Sequence, residues 1–124
     1  MLRKFLIFVI CACTSYFLIA GNIPLWENLL VGPDMSIEVD ANSLSRAGGK
    51  MRSKFRVNFY DEARTGNYIQ YTLERECQDE RIFVVESLAY YDGELVERNL
   101  ARSELRFITS VFATWFETAC IQAR

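Results

Sequence analysis

Residues 50–60 read KMRSKFRVNFY, and residues 68–77 read YIQYTLEREC. In the first stretch Met51, Phe55, Val57 and Phe59 alternate with Lys50, Arg52, Lys54, Arg56 and Asn58. In the second, Ile69, Tyr71, Leu73 and Cys77 alternate with Gln70, Thr72, Glu74 and Glu76. A period of two places successive side chains on opposite faces of a strand. Each stretch therefore has one apolar and one charged face. With Tyr60 near Tyr68, the two form a hairpin in which Lys54 faces Glu74 and Arg52 faces Glu76. Opposite charges across a ladder contribute a few tenths to about 1 kcal/mol each.

The same pattern extends outward. Met35, Ile37 and Val39 alternate with Ser36, Glu38 and Asp40, and Asp40 is placed to cap a short helical turn, ANSLS. Trp26–Val31 forms a strand before the Gly32-Pro33-Asp34 turn. Arg46-Ala47-Gly48-Gly49 is a second turn, and DEARTGN (61–67) is a loop. On the far side, Gln78-Asp79-Glu80 makes a tight connection. RIFVVESLAYY follows as a strand with Phe83, Val85, Ser87, Ala89 and Tyr91 on one face. Asp92-Gly93 is a hairpin turn signal, and ELVER (94–98) returns as a sixth strand. The small Ser87 and Ala89 leave room for an element lying across the sheet. Ser103 is a candidate N-cap. From Glu104 on, Phe107, Ile108, Val111, Phe112, Trp115 and Ala119 recur at helical steps, which predicts an amphipathic helix of about 18 residues. The expected fold is α+β: a six-stranded antiparallel sheet with a C-terminal helix packed on one face.

The first 21 residues differ from the rest. MLRK carries two positive charges, and the following seventeen residues, FLIFVICACTSYFLIAG, carry none. A basic start before an apolar run is the pattern of a secretory signal peptide. A retained membrane anchor and a lipidated Cys13 or Cys11 are the other readings, and all three export residues 22–124. Of the four cysteines, Cys77 and Cys120 then lie in an oxidising compartment, where a pair is read as a disulfide; two buried thiols are the alternative. A closed loop of about 44 residues contributes about 4 kcal/mol by chain entropy. For a domain of about 100 residues, with one modest core, that is a large share. The bridge would tie the helix to the apolar face of the sheet.

Composition narrows the function. Without Arg3 and Lys4, 12 Lys and Arg stand against 16 Asp and Glu, a net charge of −4. An acidic domain is a poor nonspecific ligand for nucleic acid. The chain has no histidine, so histidine-based triads and most zinc sites are not expected. No cofactor, metal or catalytic residue is expected. Asp92 and Glu94 read as part of a turn, and Asp61-Glu62 as a solvated loop. Tyr60, Tyr68, Tyr90, Tyr91, Trp26 and Trp115 read mostly as packing, with exposed tyrosines available to a protein interface. The candidate ligand-binding feature is the stripe Lys50, Arg52, Lys54 and Arg56, suited to an acidic polysaccharide, a lipid headgroup or an acidic protein patch. Its competing reading is an ordinary solvated strand neutralised by Glu74 and Glu76.

Trp26, IEVDANSLSRAGGKMRSKFRV, Cys77, ESLAYYDGE and a terminal helix ending in Cys120 occur in this order. The ordered set, spanning residues 26–120, resembles the surface-adhesin protein E family of exported bacterial proteins. The resemblance implies the same sheet, helix and disulfide. It also implies export and, for the namesake member, binding of host matrix and serum proteins. Leu100-Ala101-Arg102-Ser103 keeps only the serine of the family's turn before the helix, and no ligand-binding motif of the adhesin maps onto this chain. The expected function is a non-enzymatic, adhesin-like binding protein of a Gram-negative-type envelope, in the periplasm or on the outer surface. The alternative is a periplasmic structural or assembly subunit anchored in the inner membrane. Membrane contact is expected only through residues 1–21.

Overall fold

The structure is a computed structural model that describes residues 23–60, 66–106 and 109–122. The signal or anchor segment, Asp61-Glu62, and Phe107 and Ile108 lie outside the described residues.

Among the described residues, eight strands and one α-helix follow in order: β1 (Trp26–Val31), β2 (Met35–Asp40), β3 (Ser45–Ala47), β4 (Lys50–Phe59), β5 (Tyr68–Glu76), β6 (Phe83–Tyr91), β7 (Glu94–Asn99), β8 (Ser103–Glu104) and α1 (Thr109–Gln122). The sheet order is β1-β2-β4-β5-β6-β7, with every neighbouring pair antiparallel. These six are the expected strands. The two short ones complete them: β3 pairs with β4 beyond the end of β2, and β8 pairs with β6 beyond the end of β7.

Local chemistry sets the corners. The β3–β4 and β6–β7 hairpins turn through residues at positive φ: Gly48 at 58° and Gly49 at 82°, Asp92 at 50° and Gly93 at 80°. Paired positive φ values are what a two-residue turn needs to match strand twist, and glycine and aspartate tolerate them. Asp40 caps the 3-10 turn Ala41–Ser43 as expected; its Oδ1 accepts from Asn42 N at 3.0 Å and from Leu25 N at 2.9 Å.

Three expectations need correction. The β4–β5 hairpin pairs Lys50 with Glu76, Arg52 with Glu74 and Lys54 with Thr72, two residues from the register read in the sequence. Tyr60 does not close the hairpin opposite Tyr68. Its N–H donates to Asp34 O at 3.0 Å, and Phe59 N reaches Asn67 O instead. An even offset preserves the faces, so the core and charged sides stand as read. Second, the β5–β6 register shifts between Thr72 and Leu73, which pair with Glu86 and Val84. Val85 is the extra residue of a bulge. Val84 then packs against the core, and Phe83 pairs with Glu74 on the opposite, charged face. Third, Ser103 and Glu104 are strand, not helix start. They pair with Val84 and Phe83, and Leu105 N donates to Ile82 O at 2.8 Å. The unpaired end of β6 supplies backbone partners that a helix would forgo.

The helix packs on the predicted face. Phe112, Phe116, Ala119 and Cys120 are buried, a stripe at four- and three-residue steps. Trp115 is only partly buried, so the buried stripe is centred on Phe116 rather than on Trp115. Beneath it, Ile37, Val39, Phe55 and Leu73 are each 0% exposed. The Phe55 ring meets Phe112 edge-on at 4.8 Å and Phe116 at 5.8 Å. Arg75, also on this face, is buried; its Nη1 donates to Glu117 Oε2 at 3.0 Å and its Nε to Asp79 O at 2.8 Å. Cys77, just past β5, is joined to Cys120 in the last turn of α1, with Cα atoms 5.6 Å apart. Among the described residues no helix is long and apolar enough to cross a membrane.

Candidate binding face

The helix closes one side of the sheet. The other side carries Lys50, Arg52, Lys54 and Arg56, all four on one face as the alternation requires. Their surroundings divide them into three kinds.

Lys50 and Arg52 belong to an ion cluster. Glu74, its side chain 5% exposed, is bound by Arg52 Nη2 at 2.5 Å and by Arg102 Nη1 at 2.7 Å. Lys50 Nζ lies 4.0 Å from Glu74 and 3.9 Å from Glu76. Hydrogen bonds from Arg52 and then Arg102 hold the Glu74 carboxyl below its ordinary range. Arg102 reaches this point from the segment before β8, and its guanidinium covers the Phe83 ring at 4.4 Å. The bulge that turned Phe83 outward thus provides the surface on which Arg102 rests.

Arg56 is held differently. Its guanidinium lies 4.1 Å from the Trp26 ring and 4.5 Å from the Tyr68 ring. Tyr68 in turn stacks on Tyr90, 4.5 Å between centroids at 18°. The result is a column, Trp26–Arg56–Tyr68–Tyr90, running across the sheet from β1 to β6. Its four members are half-buried. Contacts of this kind contribute from about 0.5 to 2 kcal/mol each. Glu38, directly opposite Arg56 in the ladder, accepts from Asn58 Nδ2. Arg56 forms no ion pair with a described residue, and its buried Nε has no hydrogen-bond partner among them.

Lys54 faces Thr72, is exposed, and has no carboxylate partner among the described residues. The stripe is therefore one loose cation, one clamped cation and two neutralised ones. Beside the column, Asn28, Ser36, Glu38, Asn58, Tyr60 and Asn67 line a recess of about 280 Å³. Within it, Ser36 Oγ accepts from Asn58 Nδ2 at 3.1 Å and from Tyr60 OH at 2.9 Å. Asp92 serves its turn; its N–H donates to Asn67 Oδ1 at 3.0 Å. Among the described residues no group of three or more His, Cys, Asp or Glu is placed to hold a metal ion.

Sequence reading missed Arg102, Phe83 and the column. The tyrosine pair was accessible in principle, because a hairpin closing after Tyr68 and opening before Tyr90 sets them side by side. Trp26 reaches Arg56 across β2, a relationship that alternation does not encode.

No protein-family model matches this chain, and neither a curated protein nor a solved structure does.

Proposed function

We propose that this chain is an exported, non-enzymatic binding protein of the bacterial envelope that contacts another macromolecule through the sheet face opposite the helix. The observation that carries the proposal is the asymmetry of the sheet: α1 and the disulfide close one face, while the other presents Trp26, Arg56, Tyr68 and Tyr90 with no described element over them. Trp, Tyr and Arg are the residue types enriched where protein interfaces concentrate their binding energy. The Cys77–Cys120 bridge accords with an oxidising compartment, and the resemblance to the surface-adhesin protein E family supports an adhesin-like role. The test is direct binding of the detergent-solubilised full chain to purified matrix and envelope macromolecules, wild type against Tyr68→Ala with Tyr90→Ala. Binding that survives the double substitution unchanged would remove the face from consideration.

An assembly subunit is the second reading. All six residues of the edge strand β7 are exposed, with Leu95 at 51% and Val96 at 64%. An open edge can accept a strand from another chain. Concentration-dependent self-association lost on Val96→Lys would favour it.

A further inference from the structure

We infer that Arg56 is a preorganised receptor for a carboxylate on an acidic segment of a protein partner. The inference rests on the open-face reading above and narrows it to one side chain and one chemical group.

A guanidinium is a planar fork whose donors match a carboxylate with two parallel hydrogen bonds. Much of the cost of using a long side chain this way is the rotamer freedom it loses. Here that cost is met within the fold, because Trp26 and Tyr68 hold the guanidinium from two sides at 4.1 and 4.5 Å. Arg56 also lacks an ion pair to any described residue, whereas Arg52 and Arg102 converge on Glu74. Of the described arginines on this face it is the one whose charge is left for a visitor. Glu38 opposes an incoming anion, but its Oε1 is bonded to Asn58.

The geometry favours a protein over a polysaccharide. Tyr68 has Arg56 against one side and Tyr90 against the other, so its ring faces are used within the column. A sugar ring laid on Tyr68 finds its edge, not the open face that stacking needs. A long sulfated chain would also cross Glu74 and Glu76, which already compensate Lys50 and Arg52. One clamped arginine among aromatic side chains suits a single buried charge contact ringed by apolar area.

The test measures affinity of the detergent-solubilised full chain for poly-L-glutamate at low salt, with heparin as the polysaccharide comparison. Wild type is set beside Arg56→Gln, Arg56→Lys, Glu38→Gln and Lys54→Gln. The expected result is a roughly tenfold loss for both Arg56 variants, since lysine keeps the charge but not the fork. A gain is expected for Glu38→Gln, and less than about a threefold loss for Lys54→Gln. In wild type, the Arg56 Nε–H and Trp26 indole N–H resonances should shift on titration with poly-L-glutamate, a readout independent of how well the variants fold. Unmoved resonances, or Arg56→Gln binding as tightly as wild type, would overturn the site. If matrix or envelope macromolecules still bind through Tyr68 and Tyr90 in that case, the open-face reading stands alone. Heparin binding that is tighter than poly-L-glutamate and equally dependent on Arg56 would overturn the protein assignment.

Discussion

Phe55 of β4 and Phe112 of α1 meet edge to face, with ring centroids 4.8 Å apart and planes at 83°. With Phe116 also against Phe55, at 5.8 Å, this contact fixes which side of the helix faces the sheet. Edge-to-face aromatic pairs add about 0.5–1.5 kcal/mol beyond their area burial.

Phe116→Ala should therefore cost about 3–5 kcal/mol, as large aromatic truncations in cores do. Trp115→Ala should cost less, because Trp115 is partly exposed at the helix flank. Chemical denaturation of the two variants checks the order. Equal midpoints would place the helix on a different face.

Cys77 and Cys120 should resist thiol labelling in the unfolded, unreduced protein and label after reduction, as read by peptide mass spectrometry. Replacing both with serine should cost about 2–5 kcal/mol. A label on either residue before reduction would contradict the bridge.

Acid should weaken the Glu74 cluster. The Arg52 and Arg102 guanidinium groups keep this carboxyl below its ordinary 4.5 in the folded chain. Its contribution is then fully present above pH 4.5 and is lost as pH falls through the lower folded value. Asp79, held down at about 2 by Arg81, adds a loss beginning near its ordinary 3.8. Glu74→Gln should be less stable than wild type at neutral pH, and the gap between the two melting temperatures should narrow as pH falls from neutral to below 4.5. A constant gap across that range would show that Glu74 is not ionised in its role.

The basic stripe separates by substitution. Lys54→Ser should change stability by less than about 0.5 kcal/mol. Arg52→Ser removes a partner from a carboxylate that is 5% exposed and should cost about 1–3 kcal/mol. Thermal melting of both measures the difference. Indistinguishable variants would mean that Glu74 is satisfied without Arg52.

The sheet was legible because the apolar residues of Met35–Asp40, Lys50–Phe59 and Tyr68–Glu76 fall at alternate positions, which puts Ile37, Val39, Met51, Phe55, Val57 and Leu73 inside, where they are buried; Ser36, Asp40, Thr72 and Glu74 are buried as well, on the face that alternation reads as polar. The bulge was not legible. Phe83, Val84 and Val85 are all apolar, so the pattern carries no phase through the place where it changes. The helix start failed for a related reason: Phe107 and Ile108 continue the helical spacing, while the pull on Ser103 and Glu104 comes from β6, twenty residues earlier. The register erred because Tyr60 bonds to Asp34, a tertiary contact with no local sign. The four stripe residues were placed on one face correctly. Their division into neutralised, clamped and loose cations depended on Trp26 and Arg102, which come from distant segments.

The helix that closes the core follows every described strand. During synthesis, Ile37, Val39, Phe55 and Leu73 are delivered well before Phe112 and Phe116 arrive to cover them. Until then the half-built sheet exposes a sticky apolar face as well as open edges, the condition in which folding intermediates aggregate. The interval between delivery of β4 and delivery of α1 is thus the period of greatest exposure. A chaperone that shields strands as the chain emerges would matter most in that interval, and a chain cut short before Thr109 would remain in it permanently.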